Sequence, residues 1–265
     1  MAFDPSHSFV VPAYGRSVHL RDCLQSLRAQ TVASPIVIAT STPYEGMEAL
    51  AAEFDARLCV HGPNGGIGRD WNFAVSQAQT DLVTIAHQDD IYLPRFAERS
   101  IAAARSVPDV SLVATGYGEL VGARERFNTP MLLIKRVLLE LAFLGRRRIG
   151  SVAAKQRALR FGCAISCPTV TLRTGTDANG FREDMKVNLD WDAWLRRARR
   201  PGSFVYVRES LMLHRIHESS ETSAAVLDGV RAREDLEIFR SLWPPVVASW
   251  LARVYALSYA AGGRE

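Results

Sequence analysis

His87-Gln88-Asp89-Asp90 places an imidazole and two carboxylates within four residues. Carboxylate oxygens and imidazole nitrogen suit a divalent cation such as Mg²⁺ or Mn²⁺. The same residues have a plainer use, as caps for the helix that Pro94 helps to start. Taken alone, the four leave both readings open. A second acidic group is Asp190-Trp191-Asp192. A carboxylate with a pKa near ~4 is ionised at neutral pH and can take a proton from an attacking hydroxyl. Asp190 could equally be an N-cap, with Asp192 serving the helix dipole. His214-Arg215-Ile216-His217 concentrates two of the six histidines beside an arginine, a set fit for metal or phosphate contact. The glycine-rich stretch Gly62 to Gly68 lacks a P-loop ending and the dinucleotide fingerprint. It reads either as a connector or as a loop whose backbone N–H groups approach an anion at a helix N-terminus.

The elements that must carry these groups follow from hydrophobic patterning. Ser8 to Pro12, Ile36 to Thr40, Arg57 to Val60, Leu82 to Ala86 and Val110 to Thr115 read as buried strands. Helical spacing fills Arg16 to Gln30, Tyr44 to Phe54, Arg69 to Ala78 and Pro94 to Ser106. This alternation predicts an α/β fold with a mostly parallel, doubly wound sheet. The acidic His87–Asp90 stretch then falls at a strand's C-terminal end, where open α/β sheets bind ligands. After Tyr117 the rhythm breaks. Met131 to Leu144 reads as an apolar helix, Phe161 to Leu172 and Ser203 to Val207 as strands, and Val226 onward as helical. Trp191, Trp194, Leu195 and Ala198 form the core stripe of a helix that begins near Asn188 and stops at Pro201.

With 265 residues, 48% of them hydrophobic and 23% charged, the chain is sized for one large globular unit. The N-terminus has no signal-peptide pattern, and no run of ~20 apolar residues suggests a membrane span. The four cysteines show no C-x-x-C pair and read as thiols in a reducing, cytoplasmic setting. Net charge is +4, yet residues 124–160 hold ten Lys or Arg against only Glu125 and Glu140. That +8 segment beside an apolar helix suits an anionic membrane face or a lipid-phosphate acceptor, or else is a solvated basic surface. Sparse aromatic interleaving argues against nucleic acid. The apolar stretch Trp243 to Tyr259 reads as packing against the sheet or a homodimer partner.

Five segments, in order, resemble the family 2 glycosyltransferases of GT-A fold. Phe9-Val10-Val11-Pro12-Ala13-Tyr14 resembles the opening strand and its P-x-Y/F-N turn. Asn64 to Asn72 is similar to the N-x-G-x-x-x-x-x-N segment, and His87-Gln88-Asp89-Asp90 stands where the D-x-D motif lies. Leu189-Asp190-Trp191-Asp192 stands at the E-D motif, and His214-Arg215-Ile216-His217 resembles the downstream Y-R-x-H element. The resemblance implies a Rossmann-like, helix-flanked GT-A domain over 1–222, with a nucleotide-sugar half at 1–118 and an acceptor half at 119–222. The basic helical insert at 124–160 lies within the second half, and a C-terminal helical extension occupies 223–265. It implies an inverting, metal-assisted transfer from a nucleoside-diphosphate sugar to a hydroxyl of a glycan, lipid-linked or small-molecule acceptor. The setting would be cell-surface glycan or cell-wall synthesis, at or near the inner face of the membrane.

The resemblance also assigns roles. Asp190 would be the base, and Asp89, His87 and His217 the ligands of Mn²⁺ or Mg²⁺. Pro12, Ala13, Tyr14, Ser41, Asn64, Gly66, Arg69, Asn72, Gln88, Asp90 and His217 would contact the donor. Three positions depart from the pattern: His87 replaces the first aspartate of D-x-D, Leu189 replaces the glutamate before the base, and Ala39 to Pro43 lacks the usual base-holding aspartate. A non-catalytic nucleotide-sugar-binding protein is the alternative those departures raise. A sugar nucleotidyltransferase fits less well, because the first strand lacks its glycine-rich, basic opening.

Overall fold

The computed structural model describes residues 6–175, 180–217 and 229–262, with side chains to residue 256. Its first half alternates as the patterning requires: β1 (His7–Ala13), α1 (Leu20–Arg28), β2 (Ile36–Thr40), α2 (Met47–Glu53), β3 (Arg57–Val60), α3 (Ile67–Ser76) and β4 (Leu82–Ile85). β1 pairs in parallel with both β2 and β4, and β2 in parallel with β3. Strands β1, β2 and β4 are almost wholly buried, which is why they read as continuous apolar runs rather than alternating ones. The chain lays β2 and β3 to one side of β1, then returns to place β4 on the other. The C-terminal ends of β1 and β4 therefore flank a topological switch point.

Next come β5 (Ile91–Tyr92), α4 (Phe96–Arg105), β6 (Val110–Val121), β7 (Arg124–Arg126), α5 (Pro130–Phe143), β8 (Arg148–Ile149), α6 (Val152–Arg157), β9 (Val170–Arg173), α7 (Leu189–Ala198) and β10 (Ser203–Ile216). Two helices follow, α8 (Val230–Leu242) and α9 (Pro245–Gly262). The α/β expectation holds, but the sheet is mixed. Its order is β3-β2-β1-β4-β9-β6-β10-β5, with β9 antiparallel to β4 and β6, and β10 parallel to β6.

The expected strand Phe161 to Leu172 shrinks to β9. Residues 161–169 are turn and a short 3₁₀ segment holding Pro168, which has no N–H for a ladder. Two carbonyls there and just before serve α7 instead: Trp191 Nε1 donates to Leu159 O at 2.8 Å and Trp194 Nε1 to Ile165 O at 3.1 Å. Ala164, Ile165 and Cys167 are buried beneath a helix, not in a strand, and Phe161 is half exposed. Conversely, β6 and β10 outrun their expected ends. Gly116 and Gly118 look like breakers, but a Cβ at Gly116 would stand 2.9 Å from Glu209 O, where the register of β10 shifts. The absent side chain permits that approach.

The main core joins both halves. Trp191 and Trp194 of α7 pack with Phe181, Leu172 and Val83, and Phe239 and Ala248 of the last two helices belong to the same cluster. The C-terminal helices are thus built into the core beside α7.

Candidate functional site

The strand ends at the switch point are tied together by side chains. Gln88, just past β4, accepts from Tyr14 N at 3.1 Å and donates to Tyr14 O at 3.2 Å. Gly15 N donates to Thr42 Oγ1 at 2.7 Å. The loops after β1, β2 and β4 therefore form one rim. Pro12 and Ala13 lie opposite Ala39 and Thr40 in the parallel register, Tyr14 is 53% exposed, and Ser41 Oγ is buried with no hydrogen bond in the described structure.

On this rim His87, Asp89 and Asp90 each offer a ligating atom, all within 4.8 Å of one another. Asp90 is fully buried, which an unpaired carboxylate would not tolerate. Its Oδ1 accepts from His214 Nδ1 at 2.9 Å and from Arg215 N at 3.0 Å. Its Oδ2 makes no hydrogen bond, and neither does the buried Nε2 of His87. His217 Nε2 meets Asp89 Oδ2 at 2.8 Å, and Arg215 Nε donates to Asp89 O at 2.8 Å while its Nη2 reaches Asp22 Oδ2 at 3.1 Å. Burial opposes ionisation of Asp89, but nearby His87 and the His217 hydrogen bond outweigh it and hold the carboxyl below its ordinary range. Burial likewise pulls His214 down, and Asp90 overcomes it, so the imidazole is raised.

A divalent cation fits this set. Two buried polar atoms, Asp90 Oδ2 and His87 Nε2, have their lone pairs uncommitted, and imidazole with carboxylates is a Mn²⁺- or Mg²⁺-type donor set. The helix-cap reading of the four residues does not hold. Arg95, not Asp89 or Asp90, stands at the N-cap of α4, so the carboxylates face β10 rather than a helix end. The two are brought there because β5 pairs antiparallel with β10, matching Ile91 with Leu213. That pairing sets His214–His217 against Asp89 and Asp90 across more than a hundred residues of chain.

Asp190 stands near the start of α7, partly buried. Asn188 is the N-cap residue, and Asp190 Oδ1 accepts from Trp191 N at 2.7 Å. Burial raises its carboxyl above the ordinary value, while the Trp191 N–H and the charges of Lys135, His87 and Arg231 draw it back. It shares that electrostatic neighbourhood with the metal-type cluster. Lys135, on α5, donates to Tyr117 Oη at 2.7 Å.

Other expected donor contacts have local duties. Asn64 Oδ1 accepts from Gly66 N at 3.0 Å, shaping the loop before α3, and the Arg69 side chain folds against Gly65. Asn72 is committed elsewhere: its Nδ2 donates to Phe181 O at 2.8 Å and its Oδ1 accepts from Phe181 N at 2.6 Å. It fastens α3 to the segment before α7. Gly68 serves the same contact, since a Cβ there would lie 2.3 Å from Arg182 O. Trp71 of α3 bridges to the cluster, its ring 5.1 Å from that of His87.

Sequence reasoning missed Glu234 of α8. Its buried carboxylate accepts from Lys186 N at 2.7 Å, Val187 N at 3.0 Å and Asn188 N at 2.9 Å. Asp235 Oδ1 accepts from Asn188 Nδ2 at 2.8 Å. Together they fix the turn that presents Asp190. An exposed-looking Glu-Asp pair in a helix gives no sequence signal for that work.

A mixed α/β sheet whose switch point carries a His-Asp-Asp cluster of metal-ligating type has the architecture of a GT-A fold. The model of glycosyl transferase family 2 matches residues 8–171, and the chain belongs to that family: it is a glycosyltransferase. An uncharacterized glycosyltransferase of Rickettsia typhi is 21% identical over 246 residues, covering 91% of this chain and 71% of its own. A Mycobacterium tuberculosis protein is 25% identical over 242 residues, 83% of this chain and 70% of its own. Among solved structures, S. aureus TarS in complex with UDP-GlcNAc superposes with a TM-score of 0.65 at 15% identity, covering 93% of this chain and 70% of that one. The mannosyltransferase PcManGT from Pyrobaculum calidifontis, in complex with GDP-Man and Mn²⁺, gives 0.62 at 14% identity over 99% and 77%. At those identities the likeness is one of fold.

Proposed function

We propose that the chain is an inverting glycosyltransferase that moves a sugar from a nucleoside-diphosphate donor to an acceptor hydroxyl with help from a divalent cation. The observation that carries this reading is the pairing of His87, Asp89 and Asp90, which keep two buried ligating atoms uncommitted, with Asp190 in the same electrostatic neighbourhood. The rim formed by Tyr14, Gln88, Gly15 and Thr42 holds the nucleoside, and Ser41 Oγ supplies a buried polar atom toward its base. His87, Asp89, Asp90 and His217 would hold Mn²⁺ or Mg²⁺, which would supply Lewis-acid neutralisation of diphosphate charge. Arg215 braces Asp89 from behind through its main-chain carbonyl.

Asp190 acts at the other end. It takes the proton of the acceptor hydroxyl as that oxygen forms its bond to the anomeric carbon and the bond from that carbon to the diphosphate breaks. A raised carboxyl is a stronger base than an exposed one and is better matched to this task. The Tyr117–Lys135 pair lines the acceptor side and keeps a positive charge beside the base. TarS and PcManGT are solved with UDP-GlcNAc and GDP-Man respectively, which supports a nucleotide-sugar donor. Assembly of a cell-surface glycan, from the cytoplasmic side, is the setting we assign.

Asp190→Asn tests the assignment. It conserves size and the Trp191 contact, so the variant folds and binds nucleoside diphosphate while sugar transfer to an acceptor, read as acceptor-dependent release of nucleoside diphosphate, falls by about 10³-fold or more. Near-normal turnover in that variant contradicts the mechanism. Unchanged binding with no transfer by the wild type to any acceptor would instead support a binding protein.

A further inference from the structure

α5 (Pro130–Phe143) is an unusual surface helix, because its solvent side is apolar. Leu133, Ile134, Val137, Leu141 and the capping Leu144 are between 47% and 62% exposed. At the helical repeat they fall within an arc of about 100°, with no charged residue among them. The helix's opposite side carries the buried Leu132, Leu139 and Phe143, so the exposed stripe is additional to the core face. Single exposed apolar side chains need no explanation, but a continuous stripe does.

The charge around the stripe names its occupant. Arg146 and Arg147, immediately past the helix, and Arg124, just before it, are exposed with no carboxylate partner among the described residues. Not all of the basic segment is available in this way. Lys155 is buried and donates to Arg200 O and Gly202 O at 2.5 and 2.7 Å, and Lys135 turns toward Tyr117. Glu140, on the helix beside the stripe, is neutralised by Arg208. What faces outward is therefore an apolar ridge with unpaired arginines just past its C-terminal end and another on the β7 hairpin that precedes the helix in the chain, the complement of an anionic bilayer surface. Among the described residues no helix is long and apolar enough to cross a membrane.

We infer that the exposed face of α5 docks the enzyme on an anionic bilayer, with Leu133, Val137 and Leu141 entering the acyl boundary and Arg124, Arg146 and Arg147 meeting headgroup phosphates. Lys135, about 150° around the same helix from the centre of the stripe, points inward to Tyr117 and takes no part in the docking.

Co-sedimentation of the full chain with phosphatidylcholine vesicles, with and without phosphatidylglycerol, tests it. Binding is expected only with the anionic lipid, weakening as salt rises. Val137→Asp with Leu141→Asp, both at exposed positions, is expected to abolish binding, and Arg146→Glu with Arg147→Glu to weaken it roughly tenfold or more. Nucleoside diphosphate binding in the same variants should be unchanged, which shows that they fold. Absence of binding to anionic vesicles, or binding indifferent to the aspartates, overturns the inference. So does light scattering that shows a dimer broken to monomer by the aspartates, since a second copy would then cover the stripe. Loss of nucleotide binding in wild-type protein that still binds vesicles counts against the transferase reading alone.

Discussion

Glu234→Gln removes one carboxylate oxygen from the group that holds the turn before Asp190. In the native protein Oε2 accepts from Val187 N and Asn188 N, and Oε1 accepts from Lys186 N. A glutamine can keep its oxygen on the first two, but its NH₂ then faces the Lys186 N–H, donor against donor. Charge-assisted bonds to backbone amides weaken as well, and the part-buried Lys186 N–H loses its acceptor. The cost is about 1.5–3 kcal/mol, or roughly 3–12 °C in Tm for a protein of this size. Thermal unfolding followed by circular dichroism reads the first part. The second part is kinetic. Asp190 stands two residues past Asn188, so slack in the turn displaces the base from the acceptor oxygen, and a misplacement of about 1 Å costs on the order of 10²-fold in rate. We expect kcat to fall about 10- to 100-fold, while the donor KM, set on the β1–β4 rim, stays within about twofold. A lowered Tm with wild-type kcat would mean that Glu234 stabilises the fold without positioning Asp190. A wild-type Tm would refute the hydrogen-bond argument outright.

Transfer should show an acidic limb lying above the ordinary carboxylate range, because burial raises Asp190 and only its ionised form accepts the proton; a pH–rate profile whose limb falls at the usual aspartate value removes it as the base. His7 is buried between Ser34 Oγ and Thr84 Oγ1, and burial lowers its pKa from 6.5 to about 3. The unfolded chain therefore binds a proton that the native one refuses between those values. Stability is complete above the unfolded pKa and is lost as pH falls toward the folded one, by on the order of 4 kcal/mol in all. Denaturant midpoints measured against pH should decline less steeply in His7→Asn than in the wild type, and equal slopes would discount the buried imidazole. Arg215→Gln frees Asp89 from the brace through its carbonyl, and metal-dependent nucleoside diphosphate affinity should weaken roughly tenfold by titration calorimetry, whereas unchanged affinity leaves Arg215 a structural residue.

Much of the N-terminal half of the fold is legible in sequence because its cues are local. Buried parallel strands read as apolar runs, and an acidic stretch after one of them marks a strand end at which ligands bind. His214–His217 stands out by composition, yet its partner does not, since only the β5–β10 pairing sets Asp90 against His214. Ala164, Ile165 and Cys167 mislead because burial beneath Trp191 and Trp194 leaves the same trace as a strand. Asn72 fits a donor-site motif by position, while its amide is committed in both directions to Phe181. Glu234 is invisible for the opposite reason. A charged residue on an ordinary helix carries no mark of the three amides that converge on it.

We propose His87, Asp89 and Asp90 as a cation-dependent diphosphate station, separate in role from the base Asp190. Thermal shift of wild type, Asp89→Ala and Asp190→Asn, with UDP or GDP in the presence and absence of Mn²⁺, tests it most directly. A nucleotide held at about 100 times its Kd stabilises by about 2.7 kcal/mol, or roughly 5–10 °C. That shift is expected in wild type and Asp190→Asn only when Mn²⁺ is present, and it is expected to be lost in Asp89→Ala. A nucleotide shift of equal size without metal, or one that survives in Asp89→Ala, contradicts it.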